Sequence, residues 1–87
     1  MKDVIDVKCL GDFRLMLTFE GGERREVDLG SRLYFEGVFQ PLRNPAYFRR
    51  VSVNPDLGTI VWPNGADICP DVLYEWSTPV VQASEPA

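Results

Sequence analysis

The segment that most constrains this fold runs from Trp62 to Tyr74, with the sequence WPNGADICPDVLY. Pro63-Asn64-Gly65 interrupts an apolar run, and these residue types concentrate in tight turns. At Cys69-Pro70-Asp71, a proline and then an acidic residue favour the first turn of a helix. The segment therefore predicts a strand ending at Trp62, a turn, and a final helix beginning near Pro70.

Apolar residues alternate with polar ones over the first part of the chain, which is the pattern of half-buried strands. Residues 4–10 predict a first strand, and residues 13–20 predict a second strand with the more regular alternation. The residues expected to face inward are Ile5, Val7 and Cys9 in the first strand, and Phe13, Leu15, Leu17 and Phe19 in the second. The two strands therefore predict one buried sheet face.

The loop after the second strand sets the register of a hairpin. If Gly21-Gly22 alone formed the loop, Leu17 would lie opposite Glu26 and a carboxylate would enter the core face. A three-residue loop, Gly21-Gly22-Glu23, places Leu17 opposite Val27 instead. Because a one-residue slip turns every side chain to the other face, we predict the three-residue loop.

The remainder of the chain predicts short elements. Residues 30–37 suggest a helical turn, and Asn44-Pro45 suggests the N-cap and first position of a helix that reaches about Arg50. Further strands are expected from Val51 and over residues 59–62. Together these patterns predict a small two-layer α+β domain, with a mainly antiparallel sheet of about five strands and two or three short helices. We expect this single domain to cover residues 1–76, followed by a flexible tail over residues 77–87.

Composition excludes several classes of protein. Nine Lys and Arg against thirteen Asp and Glu give a net charge of −4, which opposes nonspecific binding to phosphates. The absence of histidine removes the commonest general base and the usual zinc ligands. The start of the chain has no apolar signal core and no run reaches membrane-spanning length, so we expect a cytoplasmic protein with free thiols at Cys9 and Cys69.

These motifs resemble the bacterial domain-of-unknown-function family 2442 over about residues 4–76. The resemblance is most specific at Trp62-Pro63-Asn64-Gly65 and Asp67, and it extends through Val27-Asp28-Leu29 and Leu73-Tyr74. It implies a small α+β unit. It also implies a regulatory role, because some members resemble parts of helix-turn-helix proteins and others are encoded beside a small protein, as toxin–antitoxin pairs are. It supplies no catalytic residues.

We expect the functional contact at the turn before the last helix. The candidate partner-binding residues are Trp62, Asn64, Gly65, Asp67 and Tyr74. Tryptophan and tyrosine are common at interface hot spots. The alternative is structural: Trp62 in the core, Asn64-Gly65 as a tight turn and Asp67 as a cap. We expect a small protein partner, with a homodimer as the alternative, and we expect neither a membrane nor direct nucleic-acid contact.

Two other functions have a basis in the residues. Asp28, Asp67 and Asp71 would form a metal-dependent enzyme site if they converged. Arg49-Arg50 and the neighbouring aromatic residues would suit single-stranded nucleic acid if those rings were exposed. Since no nucleophile-plus-base pattern is present, we assign no catalytic residues, no metal ligands and no cofactor, and we expect a non-catalytic interaction module.

Overall fold

The computed structural model describes residues 2–80, which form two antiparallel sheets and four short helices. The larger sheet has the strand order β1-β2-β3-β6: β1 (Val4–Gly11), β2 (Arg14–Phe19), β3 (Arg24–Asp28) and β6 (Thr78–Pro79). The smaller sheet pairs β4 (Ser52–Asn54) with β5 (Thr59–Val61). The helices are α1 (Pro45–Phe48), α2 (Pro70–Trp76) and two 3₁₀ helices, Leu29–Ser31 and Gly37–Arg43. The predicted α+β class is confirmed, although the strands form two sheets rather than one.

The core lies on the inward face of β2. Leu15, Leu17 and Phe19 alternate along this strand and are fully buried, as their spacing predicts. Residues from both sheets and from the helices pack into the same cluster, including Val4, Val27, Leu42, Phe48, Ile60, Trp62 and Leu73. This one cluster therefore holds the sheets and the helices together.

The predicted inward position of Ile5 in β1 is wrong. Val4 pairs with Phe19 and Asp6 pairs with Thr18, so Ile5 is an extra residue in a β-bulge. Val4 occupies the buried position at 1% exposure, while Ile5 is 53% exposed. Beyond the bulge the predicted alternation resumes, with Val7 partly buried.

The hairpin loop has the predicted length but starts one residue earlier. The Phe19 N–H donates to the Glu23 carbonyl at 2.8 Å, so the loop is Glu20-Gly21-Gly22. Both glycines have φ of 93°, a conformation that residues with a Cβ rarely adopt. Leu17 consequently pairs with Arg25 and not with the predicted Val27. Because the pairing shifts by two residues, each side chain keeps its predicted face.

Both predicted helix starts are confirmed. The Asn44 side chain accepts a hydrogen bond from the Ala46 N–H at 2.9 Å, and Pro45 follows as the first helical residue of α1. The helix ends at Phe48, earlier than the predicted Arg50. The predicted helical turn over residues 30–37 is instead divided between the two 3₁₀ helices that flank residues 32–36.

The sheet continues past the predicted domain boundary at residue 76. Thr78 pairs with Glu26 and Pro79 pairs with Arg25, while the Val80 N–H donates to the Arg24 carbonyl at 3.0 Å. Thr78 and Pro79 therefore lie in the larger sheet, at its β3 edge. The rest of the predicted tail, residues 81–87, lies outside the described residues.

Within residues 2–80, no helix combines the length and the apolar character that crossing a bilayer requires.

Candidate functional site

The segment after β5 forms a tight turn closed by its own backbone. The Trp62 N–H donates to the Ala66 carbonyl and the Gly65 N–H donates to the Trp62 carbonyl, each at 2.9 Å. The Asn64 side chain accepts from the Ala66 N–H at 3.1 Å, and Gly65 has a φ of 90°. The hydrogen bond favours Asn at position 64 and the positive φ favours Gly at position 65, as expected for a tight turn.

Trp62 lies beneath this turn and has no role on its surface. The residue is 1% exposed, and its indole Nε1 donates to the Phe48 carbonyl at 2.9 Å. The Trp62 and Phe48 rings also pack together, with centroids 5.8 Å apart. Trp62 is thus a core residue, and a partner docking on the turn would not touch it.

Asn64 joins the turn to the 3₁₀ helix Gly37–Arg43. Its Nδ2 donates to the Val38 carbonyl at 2.8 Å, across 26 residues of sequence. Val38 is 48% exposed. We call the exposed residues around this contact the turn surface: Val38, Pro63, Asn64, Gly65 and Asp67.

Tyr74 lies at the opposite end of β2 from the turn. Its ring packs edge-on against Phe19 at the end of β2, with centroids 5.1 Å apart. Trp62 lies toward the other end of β2. Its ring packs against that of Phe48, and the Phe48 ring centroid is 5.1 Å from that of Phe13. Phe13 directly precedes β2 and Phe19 ends it, and the six residues of this strand span about 17 Å. The five predicted site residues therefore do not form one site.

Around Tyr74 a polar network fixes α2 to the hairpin. The Tyr74 hydroxyl donates to Glu23 Oε1 at 2.9 Å. The Arg25 guanidinium carbon lies 3.9 Å from the Tyr74 ring centroid, within cation–π range. The ring is thus held by a carboxylate, a cation and the Phe19 ring.

Arg25 is the mostly buried charged residue at the centre of this network. Its side chain is 12% exposed and donates to Glu23 Oε2 at 2.9 Å, to Ser77 Oγ at 2.7 Å and to the Ser77 carbonyl at 2.8 Å. A fourth hydrogen bond reaches the Tyr74 carbonyl at 3.2 Å. The signal in the sequence was its inward position on β3, where a charged residue needs such partners.

Among residues 2–80, the pKa values of Glu23 and Cys9 are shifted. The hydrogen bond from Tyr74, followed by that from Arg25, lowers the pKa of the Glu23 carboxyl. Burial raises the pKa of the Cys9 thiol, and the nearby charge of Arg49 opposes this change only in part. A thiol with a raised pKa is less reactive, which agrees with a packing role for Cys9.

A groove of about 350 Å³ opens beside α2. Lys2, Asp71, Tyr74 and Glu75 line it. Asp71, Tyr74 and Glu75 are spaced three and four residues apart, which places them on one face of the helix. Of the predicted partner-binding residues, Tyr74 lines this groove.

The three aspartates proposed as a metal site occupy separate places. Asp28 ends β3 and accepts a hydrogen bond from the Gly30 N–H at 3.0 Å, so it caps the following 3₁₀ helix. Asp67 lies on the turn surface and Asp71 lines the groove. Among the residues that the structure describes, no three His, Cys, Asp or Glu side chains are grouped to hold a metal ion.

The aromatic residues near Arg49-Arg50 mostly pack inward. Phe13 contacts Phe35 at 5.3 Å and Phe48 at 5.1 Å, and Phe48 is 3% exposed. Tyr34, in contrast, is 83% exposed. A row of exposed rings suited to stacking bases is therefore not formed by these aromatic residues.

Comparison with known proteins gives one match. The family model described as "Protein of unknown function (DUF2442)" matches residues 4–79. The matched region ends with β6, in agreement with the extent of the sheet. No curated protein and no solved structure is significantly similar to the chain.

Proposed function

The chain belongs to the DUF2442 family of unknown function, and we propose that it is a non-catalytic interaction module that binds a small partner protein through the turn surface. The observation that carries this proposal is the hydrogen bond from the Asn64 side chain to the backbone carbonyl of Val38, a residue that is itself 48% exposed. Protein interfaces combine apolar area with a polar rim, and the turn surface offers both.

The turn surface is also preorganised. Its backbone is closed by the bonds between Trp62, Gly65 and Ala66, and the buried Trp62 ring supports it from below. Binding to a rigid surface loses less conformational entropy than binding to a mobile loop. This geometry therefore favours a small contact that is made without rearrangement.

We place this module in the cytoplasm, in a regulatory or antitoxin-like role within a two-protein system. Support for the regulatory role comes from the family resemblance, and the net charge of −4 opposes direct binding to nucleic acid. A homodimer through the same surface is the alternative assembly. Sedimentation of the purified chain distinguishes a homodimer from a complex with a different protein.

The test is a matched pair of surface substitutions, Val38→Glu and Leu57→Glu. Val38 and Leu57 are 48% and 52% exposed, and Leu57 lies in the loop between β4 and β5, away from the turn surface. Tagged wild-type and variant chains are used to capture the partner from the native host, and its affinity for each purified chain is then measured. Burying a glutamate at a hot spot weakens binding by about 30-fold or more.

We expect Val38→Glu to lose the partner and Leu57→Glu to retain it, with both variants keeping the wild-type circular dichroism spectrum. Sedimentation of the wild-type chain alone tests the homodimer. Equal binding by the two variants would exclude the turn surface as the contact.

A further inference from the structure

We propose that the free edge of β1 pairs with the same strand of a second copy of this chain, so that two of the larger sheets join into one. None of the residues involved belongs to the turn surface, and the inference therefore stands independently of the proposed function. Three features of β1 carry it: unpaired backbone groups along its outer edge, the two charged side chains beside them, and an exposed isoleucine.

Hydrogen bonding in the larger sheet shows which residues of β1 face outward. In an antiparallel ladder, opposed residues alternate between pairs that exchange hydrogen bonds and pairs that do not. At one end of β2 the Phe19 N–H donates to the Glu23 carbonyl, and at the other end the Leu29 N–H donates to the Phe13 carbonyl. The odd-numbered residues of β2 therefore bond to β3, and its even-numbered residues bond to β1.

The backbone groups of Val7 and Cys9 consequently point away from β2, because both residues lie opposite odd-numbered positions. The loop of the β4–β5 hairpin reaches this edge at Val4, whose N–H donates to the Gly58 carbonyl at 2.9 Å. Within residues 2–80, no hydrogen bond is made by the N–H or the carbonyl of Val7 or Cys9. Unpaired edge groups of this kind are a template for another strand.

The charges on β1 identify a second copy as that strand. Asp6 and Lys8 are exposed, and within the described part of the chain neither has an oppositely charged group within 4.0 Å. In an antiparallel pair centred on Val7, Asp6 of each copy lies opposite Lys8 of the other. Opposite charges in this position stabilise paired strands. A two-fold axis forms both ion pairs at once, while the two Val7 residues exchange backbone hydrogen bonds.

The same charges disfavour the neighbouring registers. Centring the pair on Lys8 would place two lysines opposite each other, and centring it on Cys9 would place Lys8 opposite Leu10. Like charges in opposed positions are destabilising. A lysine on an edge strand commonly prevents pairing. Here the adjacent Asp6 leaves one register in which the lysine is compensated.

Ile5 adds apolar area to this contact. It is the extra residue of the bulge in β1 and is 53% exposed. In the register centred on Val7 it lies next to Cys9 of the second copy, so pairing removes apolar surface from water. Because bulges on both sides of residues 6–9 keep the paired segment short, we expect weak association, with a dissociation constant of about 100 μM.

The experiment is sedimentation equilibrium of the full chain with its thiols reduced, at concentrations up to about 1 mM. Lys8→Glu places like charges opposite each other and should raise the dissociation constant at least about tenfold. Asp6→Lys/Lys8→Asp exchanges the two charges, re-forms both ion pairs and should dimerise as the wild type does. Arg32→Glu makes the same change in net charge as Lys8→Glu at an exposed residue outside β1, and it should also dimerise normally.

Amide chemical shifts of the wild-type chain, compared between dilute and concentrated samples, locate the contact without any substitution. We expect the largest changes over residues 5–9. A chain that is monomeric at every concentration, changes confined to another surface, or equal weakening by Lys8→Glu and Arg32→Glu would overturn the proposal. So would a charge-exchanged variant that has the wild-type circular dichroism spectrum but remains as weak as Lys8→Glu.

Two cross-checks keep this proposal separate from the proposed function. Lys8→Glu should still capture the partner protein, and Val38→Glu should still form the dimer. A dimer that is lost in Val38→Glu and kept in Lys8→Glu would be the homodimer through the turn surface, and it would contradict pairing at β1.

Discussion

At the scale of single residues, burial decides which side chain has which role. Trp62 belongs to a residue type that dominates interface hot spots, yet it is 1% exposed and donates its indole N–H to the Phe48 carbonyl. Asn64, two residues further along the chain, is exposed and donates a hydrogen bond to the Val38 carbonyl. Residue type alone selects Trp62 as strongly as Asn64, whereas burial leaves only the exposed residues of the turn available to a partner.

Glu23 makes stability depend on pH in a predictable direction. Its pKa is lowered in the folded chain, so it contributes stability above the pKa of the unfolded chain, and this contribution is lost as the pH falls through the folded value. The hydrogen bond from Tyr74 is the largest cause. We therefore expect Tyr74→Phe to melt at a lower temperature than the wild type at neutral pH, and to lose less stability between about pH 5 and pH 3.

Thermal melting across this pH range gives the comparison, and Tyr34→Phe serves as the control because Tyr34 is 83% exposed. The wild type and Tyr34→Phe should show the same pH dependence. A Tyr74→Phe curve parallel to theirs would contradict the role assigned to Glu23.

At the scale of elements, local signals predicted the helix starts and the inward face of β2. Pro45 and Pro70 begin helices as expected, and Leu15, Leu17 and Phe19 are buried. The bulge at Ile5 was not predictable, because alternation alone does not show which of two adjacent apolar residues is the extra one. The loop begins at Glu20 and not at the predicted Gly21. The hydrophobic pattern does not distinguish these two positions, because both three-residue loops bury the same face of each strand.

β6 was missed because two residues, one of them a proline, carry no periodic signal. Tertiary contacts hold it in place: Arg25 donates to the Ser77 hydroxyl and carbonyl, and Thr78 pairs with Glu26. These contacts join residues 52 positions apart in the sequence, and a local sequence pattern does not predict them.

The importance of β6 can be measured with two shortened chains, one ending at Trp76 and one at Val80. Removing residues 77–80 deprives Arg25 of two hydrogen-bond acceptors and uncovers the edge of β3. We expect the shorter chain to lose about 2–4 kcal/mol of unfolding free energy, because a mostly buried charge is left underpaired. Urea denaturation gives the difference, and equal midpoints would show that the domain is complete at residue 76.

At the scale of the whole molecule, residues that are close in the sequence motif lie far apart in the fold. The motif from Trp62 to Tyr74 is continuous in the chain, but its turn lies at one end of β2 and Tyr74 lies at the other. The sequence therefore predicted most of the candidate residues but not their division between the turn surface and the groove. That division depends on the path of the chain through Ile68, whose carbonyl accepts from Thr59 Oγ1 at 2.6 Å as the chain returns along β5.

The most direct measurement is cross-saturation NMR on the deuterated, ¹⁵N-labelled chain bound to its captured partner. Irradiating the partner reduces amide signals only where the two proteins touch. The proposed function predicts losses at Val38 and over residues 64–67, with no loss around Leu57. Losses confined to Lys2 and residues 70–75, or to any other face, would contradict the turn surface as the binding site.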